Sequence, residues 1–394
     1  MIFGFSKKKE EFVLSLHVGS GSVGGALVRL DNSGVPKIIF SVTEPVAIEQ
    51  KLNTQKFFLK TLKALEAVAD KVHRSGLGAP ERIFCVLASP WYASQTRVIE
   101  LKKNTPFIFT EKIADELIQK EIKVMSEEHI LEYGDAENAI RAIELKNIKT
   151  SLNGYETFKP LYKKTKELEM MIFISLSGEK ILAKIEDAIR KSFQFESIKF
   201  SSFAMASFTV VRDLNAEQEN FLLLDIGGEI TEMFMVKKNV LHDSISYPLG
   251  RNFFIRNVAL ELGCTISEAE SLISLFQSGH AEEKVAANVG AIMDKLRAEW
   301  LAKFQESLAS FSSDISIPSR VHITADPNFV DLFAATIKAE QFSQYTFAEA
   351  KFEINIIDTK LLHNLAVFGE ETARDTFIIL DSVYINRFLT KSPA

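Results

Sequence analysis

The chain has 394 residues, 46% apolar and 25% charged, which suits two to three folded domains and excludes a disordered chain. A net charge of −6 argues against a nucleic-acid partner, two cysteines make no disulfide framework, and no apolar run reaches the ~18 residues of a membrane span. With no export signal at its start, the sequence predicts a cytoplasmic protein whose cores are rich in phenylalanine, present 31 times.

The first residues, Met1-Ile2-Phe3-Gly4-Phe5 followed by Lys7-Lys8-Lys9, read as a solvated tip or as a weak membrane-surface tether. Residues 13–28 (VLSLHVGSGSVGGALV) then read as a strand, a tight Gly/Ser turn and a second strand. Another strand is expected at 37–42. A helix comes next, with Phe58, Leu62, Leu65, Ala69 and Val72 on one face and Gly76 as its stop. The run 83–89 (IFCVLAS) suits a strand buried on both faces, so strands and helices alternate as in an α/β sheet. Residues from Trp91 to about Ser197 differ in texture. They predict a charged helix (111–126), a strand (142–147), an Asn153-Gly154 turn, a Lys-rich loop (159–166), a strand (168–176) and a helix (179–193). This is expected to be a small α+β module inserted in the first domain and touching its host only at the two crossings.

The opening pattern returns at 221–236 (FLLLDIGGEITEMFMV). His17 aligns with Asp225, Gly19 with Gly227 and Val28 with Val236, a constant offset of 208 residues. Two such units imply two related halves whose Gly turns face each other across a cleft. Helices are expected at 251–262, 267–277 and 282–310. A strand at 320–325 then enters a helix begun by Asp326-Pro327. The end predicts a strand (352–357) and helices through 361–368 and 372–389. The last of these is apolar all round, so it reads as a buried helix of the first domain rather than a membrane-binding one.

These features together resemble the actin-like ATPase superfamily. Tyr155 through Ile174 (YETFKPLYKKTKELEMMIFI) and its continuation to Phe200 resemble the inserted subdomain called 1C of the FtsA and PilM type. Phe221 to Leu249 looks like that family's second phosphate hairpin, and Pro248-Leu249-Gly250 and Ala269-Glu270 come after it at family spacing. The resemblance implies an α/β, ribonuclease H-like two-domain fold. Residues 1–92 and 198–220 would form domain 1A and 93–197 the 1C module. Residues 221–250 and 319–358 would form domain 2A, 251–318 the helical domain 2B, and 359–394 C-terminal helices packing on 1A. It also implies a nucleotide site at Gly19, Ser20, Gly21, Ser22, Asp225, Gly227, Gly228, Thr231 and Glu270, with Asp225 positioning Mg²⁺ through water. Glycines let backbone N–H groups reach phosphate oxygens, and Mg²⁺ takes hard oxygen ligands.

The sequence departs from that pattern at four places. His17 stands where the first strand should end in an acid. Glu229 replaces a glycine and is expected to put a carboxylate among the phosphates, at a cost on the order of 4 kcal/mol for like charges ~4 Å apart. Thr324-Ala325-Asp326-Pro327 replaces a Gly-Gly adenine turn, and Ile273 replaces a lysine. These changes imply that ATP and Mg²⁺ bind weakly or not at all, and no catalytic residue is assigned. The scattered histidines and the two cysteines make no metal-ligand motif. The expected function is an actin-like scaffold, peripheral at the inner membrane on its cytoplasmic face. It would link membrane proteins of type IV pilus assembly or cell division through module 1C, with self-association as a further property. The alternative is an active ATP-binding, polymerising FtsA-like ATPase; a sugar or acetate kinase of the superfamily fits less well.

Overall fold

Three sheets carry the chain, and two of them share one plan. The protein is described here by a computed structural model that covers residues 11–31, 34–133, 139–311, 317–339, 351–370 and 372–391. The apolar and basic start of the chain lies outside the described residues.

β1 (Glu11–Val18) and β2 (Ser22–Leu30) form the first hairpin, and β3 (Lys37–Pro45) continues it antiparallel. α1 (Thr54–Arg74) begins where the Asn53 side chain accepts from Lys56 N, and it buries Phe57, Leu65, Val68 and Val72. β4 (Arg82–Leu87), an apolar run, lies parallel to β1. The inserted module comes next: β5 (Ala93–Ile108), α2 (Glu111–Tyr133), β6 (Ile140–Leu152), β7 (Tyr155–Glu156) and β8 (Lys164–Gly178), in the sheet order β5-β8-β6-β7. Its own core holds Phe109, Met125, Leu168 and Ile174. Asn153 and Gly154 make the β6–β7 turn at φ 51° and 81°, the left-handed pair that an Asn-Gly sequence favours.

α3 (Glu179–Arg190), β9 (Ile198–Ser202) and α4 (Phe203–Leu214) return to the first domain. The second half holds β10 (Phe221–Ile226), β11 (Thr231–Lys237), β12 (Val240–Tyr247), α5 (Arg251–Leu262), α6 (Ile266–Gln277), α7 (Glu283–Phe311), β13 (Arg320–Ala325), α8 (Val330–Ala339) and β14 (Glu353–Ile356). Gly263, at φ 65°, ends α5 in a conformation that costs a side chain energy, and a Thr265–Glu268 capping box starts α6. The order β12-β11-β10-β13-β14 repeats β3-β2-β1-β4-β9 strand for strand: two antiparallel pairings, then two parallel ones. The 208-residue offset is therefore a structural duplication.

Strand periodicity also joins the halves. Along β10, Phe221 and Leu223 enter the first core while Leu222, Leu224 and Ile226 enter the second. α4, buried from 203 to 211, fills the first core. The sequence reading passed over it because a helix buried all round shows no stripe.

Three expectations need correction. The helix placed at 361–368 is a turn of 3₁₀ helix at His363–Leu365, where Asp358 caps the chain through the N–H groups of Lys360 and Leu361. After it come β15 (Val367–Phe368), which pairs parallel with β3, and α9 (Thr376–Lys391). A short apolar run fits either state, and the open edge of β3 decides. The module boundary at 197 is also too late. Leu182, Ile185 and Ile189 of α3 lie in the first core, so the helix belongs to the host domain. The module, finally, is not attached at its crossings alone. Ile143 and Phe173 reach the first core. Glu144 accepts from Ser202 Oγ at 2.7 Å and from Tyr384 Oη of α9. Thr96 Oγ1 donates to Leu241 O of β12 at 2.8 Å. The module is thus not separable from the host without opening its core.

The last stretch of the chain behaves as its all-round apolar sequence predicts. Residues 378–386 of α9 are buried against α4 and β1.

Candidate functional site

The two Gly turns close alike. Gly19 N donates to Ser22 O at 3.0 Å, and Gly227 N donates to Ile230 O at 2.9 Å. They face each other, as the duplication requires, and line a cavity of about 260 Å³. Gly19, Ser20, Gly21, Ser22, Asp225, Gly227 and Gly228 all lie on its wall, together with His17, Thr43, Arg251, Asp326, Pro327, Asp375 and Phe377. Thr231 and Glu270 do not. Thr231 is buried behind the turn, where its hydroxyl donates to Leu249 O at 2.7 Å and accepts from Trp300 Nε1 at 3.2 Å. Glu270 is exposed on α6, and Ile273 one turn further on sits in the second core.

The turns touch. A Cβ built on Gly228 would stand 2.6 Å from Ser20 O and 2.7 Å from the N and Cα of Gly21. Glu229 N donates to Ser20 Oγ at 3.1 Å. A serine hydroxyl of one turn thus accepts a backbone N–H of the other. No layer of atoms as thick as a phosphate fits between the turns in this arrangement. The cavity beside them is below the ~300–1,000 Å³ usual for small-molecule sites.

Glu229 corrects the expectation of phosphate repulsion. Its carboxylate turns away from the cavity onto α5. There Asn252 Nδ2 donates to it at 2.8 Å, and Arg256 forms a two-pronged pair with it, Nη1 to Oε1 at 2.9 Å. Both partners of this pair are largely buried. What the glutamate adds to the turn is an anchor to α5, not a charge in the cleft.

His17 lies beneath the first turn, 5% exposed, with Nδ1 2.9 Å from Asp381 Oδ2 of α9. Phe377 stacks on its ring at 5.0 Å and Phe203 meets it edge-on at 5.2 Å. Burial would lower its pKa, but Asp381 first, then Asp375 and Asp225, outweigh this and raise it above the ordinary 6.5. His17 therefore holds a proton more readily than a free histidine, facing the carboxyl groups of Asp381, Asp375 and Asp225. Asp225, implied above as the metal-positioning residue, accepts from Thr324 Oγ1 at 2.8 Å. Burial raises it to about 6, against the lowering effects of Thr324 and His17. Arg251, at the start of α5, pairs with Asp326 of the loop that follows β13. Asp326 and Pro327 form the wall there.

Sequence reasoning passed over Arg251, Asp375 and Phe377. Arg251 had a signal, since it directly succeeds Pro248-Leu249-Gly250 at a helix start. Asp375 and Phe377 have no local motif and reach the cavity only because α9 packs behind β1.

Across the domain boundary, Tyr92 Oη donates to Glu232 Oε2 at 2.9 Å. Glu232 lies opposite Asp225 on the β10–β11 ladder. Burial, then the Asp225 charge, pushes it from an ordinary 4.5 to about 8. The folded chain therefore holds this proton through a window in which the unfolded chain has released it. Stability falls as pH rises from about 4.5 to about 8, and the contribution is flat beyond. At about 1.4 kcal/mol per pKa unit, the cost above that window is on the order of a few kcal/mol. Glu232→Gln removes the titration and keeps an acceptor for Tyr92. Thermal melts should show the variant gaining several degrees on the parent near pH 8.5 and little near pH 5. Parallel pH profiles for the two proteins would refute this.

A chain of the solved PilM–PilN type IV pilus biogenesis complex superposes with a TM-score of 0.62 at 12% identity, over 95% of this chain and 97% of that one. The fold is actin-like. Looser likenesses include ethanolamine utilization protein EutJ from Carboxydothermus hydrogenoformans (TM-score 0.43, 10% identity, 95% and 89% covered). Component A of (R)-2-hydroxyglutaryl-CoA dehydratase from Acidaminococcus fermentans is another (0.40, 9%, 97% and 100%). No protein-family model matches the chain, and no curated protein does. No helix among the described residues is long and apolar enough to cross a membrane.

Proposed function

We propose that this protein is an actin-like scaffold of the PilM type, peripheral at the cytoplasmic face of the inner membrane. In this reading it links membrane partners of type IV pilus assembly through its inserted module, and its nucleotide clamp is closed on itself. The observation that carries the loss of ATP binding is the contact of the two turns, with Ser20 Oγ taking the Glu229 N–H. The raised proton affinity of His17 beside Asp381, Asp375 and Asp225 supports it, because a proton held on that imidazole would offset carboxylates that could otherwise draw Mg²⁺. Domain closure, which nucleotide drives in a working clamp, is here sustained by protein groups: Ser20 to Glu229 and Tyr92 to Glu232. The likeness to a chain of the PilM–PilN complex favours pilus assembly over cell division as the setting.

Calorimetric titration with MgATP tests this reading. The expected result is no heat of binding, or a Kd weaker than roughly 100 µM. Sedimentation should be the same with and without MgATP. Low-micromolar binding, or pelleting that needs ATP, would instead establish the polymerising ATPase.

A further inference from the structure

The far end of the inserted sheet, away from the cavity, exposes apolar side chains that the fold does not use. Phe158 is 96% exposed, Tyr155 80% and Tyr162 68%, and Leu161 and Ile108 are also open to solvent. They belong to one tip. Ile108 pairs with Lys164 at the end of the β5–β8 ladder, Phe109 N donates to Lys163 O at 3.0 Å, and Tyr162 N donates to Phe109 O at 2.7 Å. These bonds tie the 157–163 loop to the sheet. Tyr162 sits at φ 62°, a conformation that costs an aromatic residue energy, and Pro160 stiffens the turn before it. The apolar groups are therefore presented on a braced loop.

The same tip is basic. Residues 155–166 hold four lysines, Lys159, Lys163, Lys164 and Lys166, all exposed, against one glutamate. That glutamate, Glu156, is paired with Lys149 at 3.6 Å. Lys102 and Lys103 stand exposed at the same end of β5; Lys102 is paired with Glu100 at 3.6 Å and lies across the ladder from Glu167, so the positive excess of the tip rests on the four lysines of the loop. A local positive charge on a chain of net −6 has a partner of opposite sign to find. Phe158 and Tyr155 are among the most exposed large apolar side chains of the described residues, so what they meet is a surface outside the fold. Aromatic side chains that sit at headgroup depth, ringed by lysines, match an anionic bilayer surface.

We propose that the Tyr155–Phe158–Tyr162 tip, with its four lysines, docks on the anionic leaflet of a membrane and so orients the protein there. This adds a lipid contact to the membrane placement of the scaffold reading, on which it rests; its test concerns neither the clamp nor a protein partner.

The test is co-sedimentation of the full chain with vesicles of phosphatidylcholine alone and with roughly a third phosphatidylglycerol. The parent should pellet with the anionic vesicles only, and release at high salt as the Debye length shortens. Phe158→Ser/Tyr162→Ser should lower partition at least tenfold. Lys159→Glu/Lys163→Glu should lower it by more than the fivefold that each lost lysine is worth, equivalent to about 1 kcal/mol apiece. Both pairs are exposed, so circular dichroism and melting should be unchanged. Phe3→Ser/Phe5→Ser separates the tip from the apolar start of the chain. The proposal is overturned if the parent ignores anionic vesicles. It is equally overturned if tip variants bind like the parent while the Phe3/Phe5 variant alone loses binding.

Discussion

Gly228→Ala is expected to force the two halves apart. Its new Cβ would lie 2.6–2.7 Å from backbone atoms of Ser20 and Gly21, which cannot rotate away as a side chain can. Overpacking of this kind costs roughly 1–3 kcal/mol or more, and here relief means moving one domain against the other. The Ser20–Glu229 bond would be lost with the contact, and the Tyr92–Glu232 bond across the same boundary would be strained. The variant should melt several degrees lower, and small-angle scattering should show a larger radius of gyration. A matched control is available at Gly21, whose added Cβ would meet Gly228 at an ordinary 3.5 Å; Gly21→Ala should change neither quantity much. If Gly228→Ala has the parent's melting point and radius, the turns are not in contact in solution and the closed-clamp reading fails.

The second large effect is expected at Arg256. Its guanidinium is the counter-charge of Glu229, a residue only 5% exposed. Removing one partner of a buried ion pair leaves the other charge uncompensated and costs about 3–5 kcal/mol. Arg256→Ala should lose that much in denaturant melts. Glu229→Gln combined with Arg256→Ala should lose clearly less, because no naked charge remains. Equal losses for the single and double variants would show that packing, not charge, is at stake. The same geometry changes what Glu229→Gly would do. Read from sequence, that substitution frees a phosphate site; with the side chain anchored on α5 by Asn252 and Arg256, it removes an anchor instead.

Much of this protein was legible in its residues because the relevant signals are local. The apolar run, Gly turn and apolar run recur at a constant offset, and each is a strand–turn–strand whose geometry depends on a dozen neighbouring residues. The Asn153-Gly154 turn, the α5 and β13 boundaries and the continuous apolar runs of β4 and β10 belong to the same class. From those units alone came the duplication, the facing turns and most of the cavity wall.

Tertiary structure decided what depends on partners far along the chain. A glutamate in a turn can face either side of it, and only the arrival of Arg256 and Asn252 on α5 sets the direction of Glu229. A histidine at a strand end has no fixed charge until Asp381 and Asp375, more than 350 residues later, close around it. The amphipathic stripe of α3 predicts that it packs but not on which sheet, and the nearer candidate in sequence was the wrong one. Whether two Gly turns stand apart or touch is decided by groups 209 residues apart, where Glu229 N meets Ser20 Oγ, and no local signal carries that.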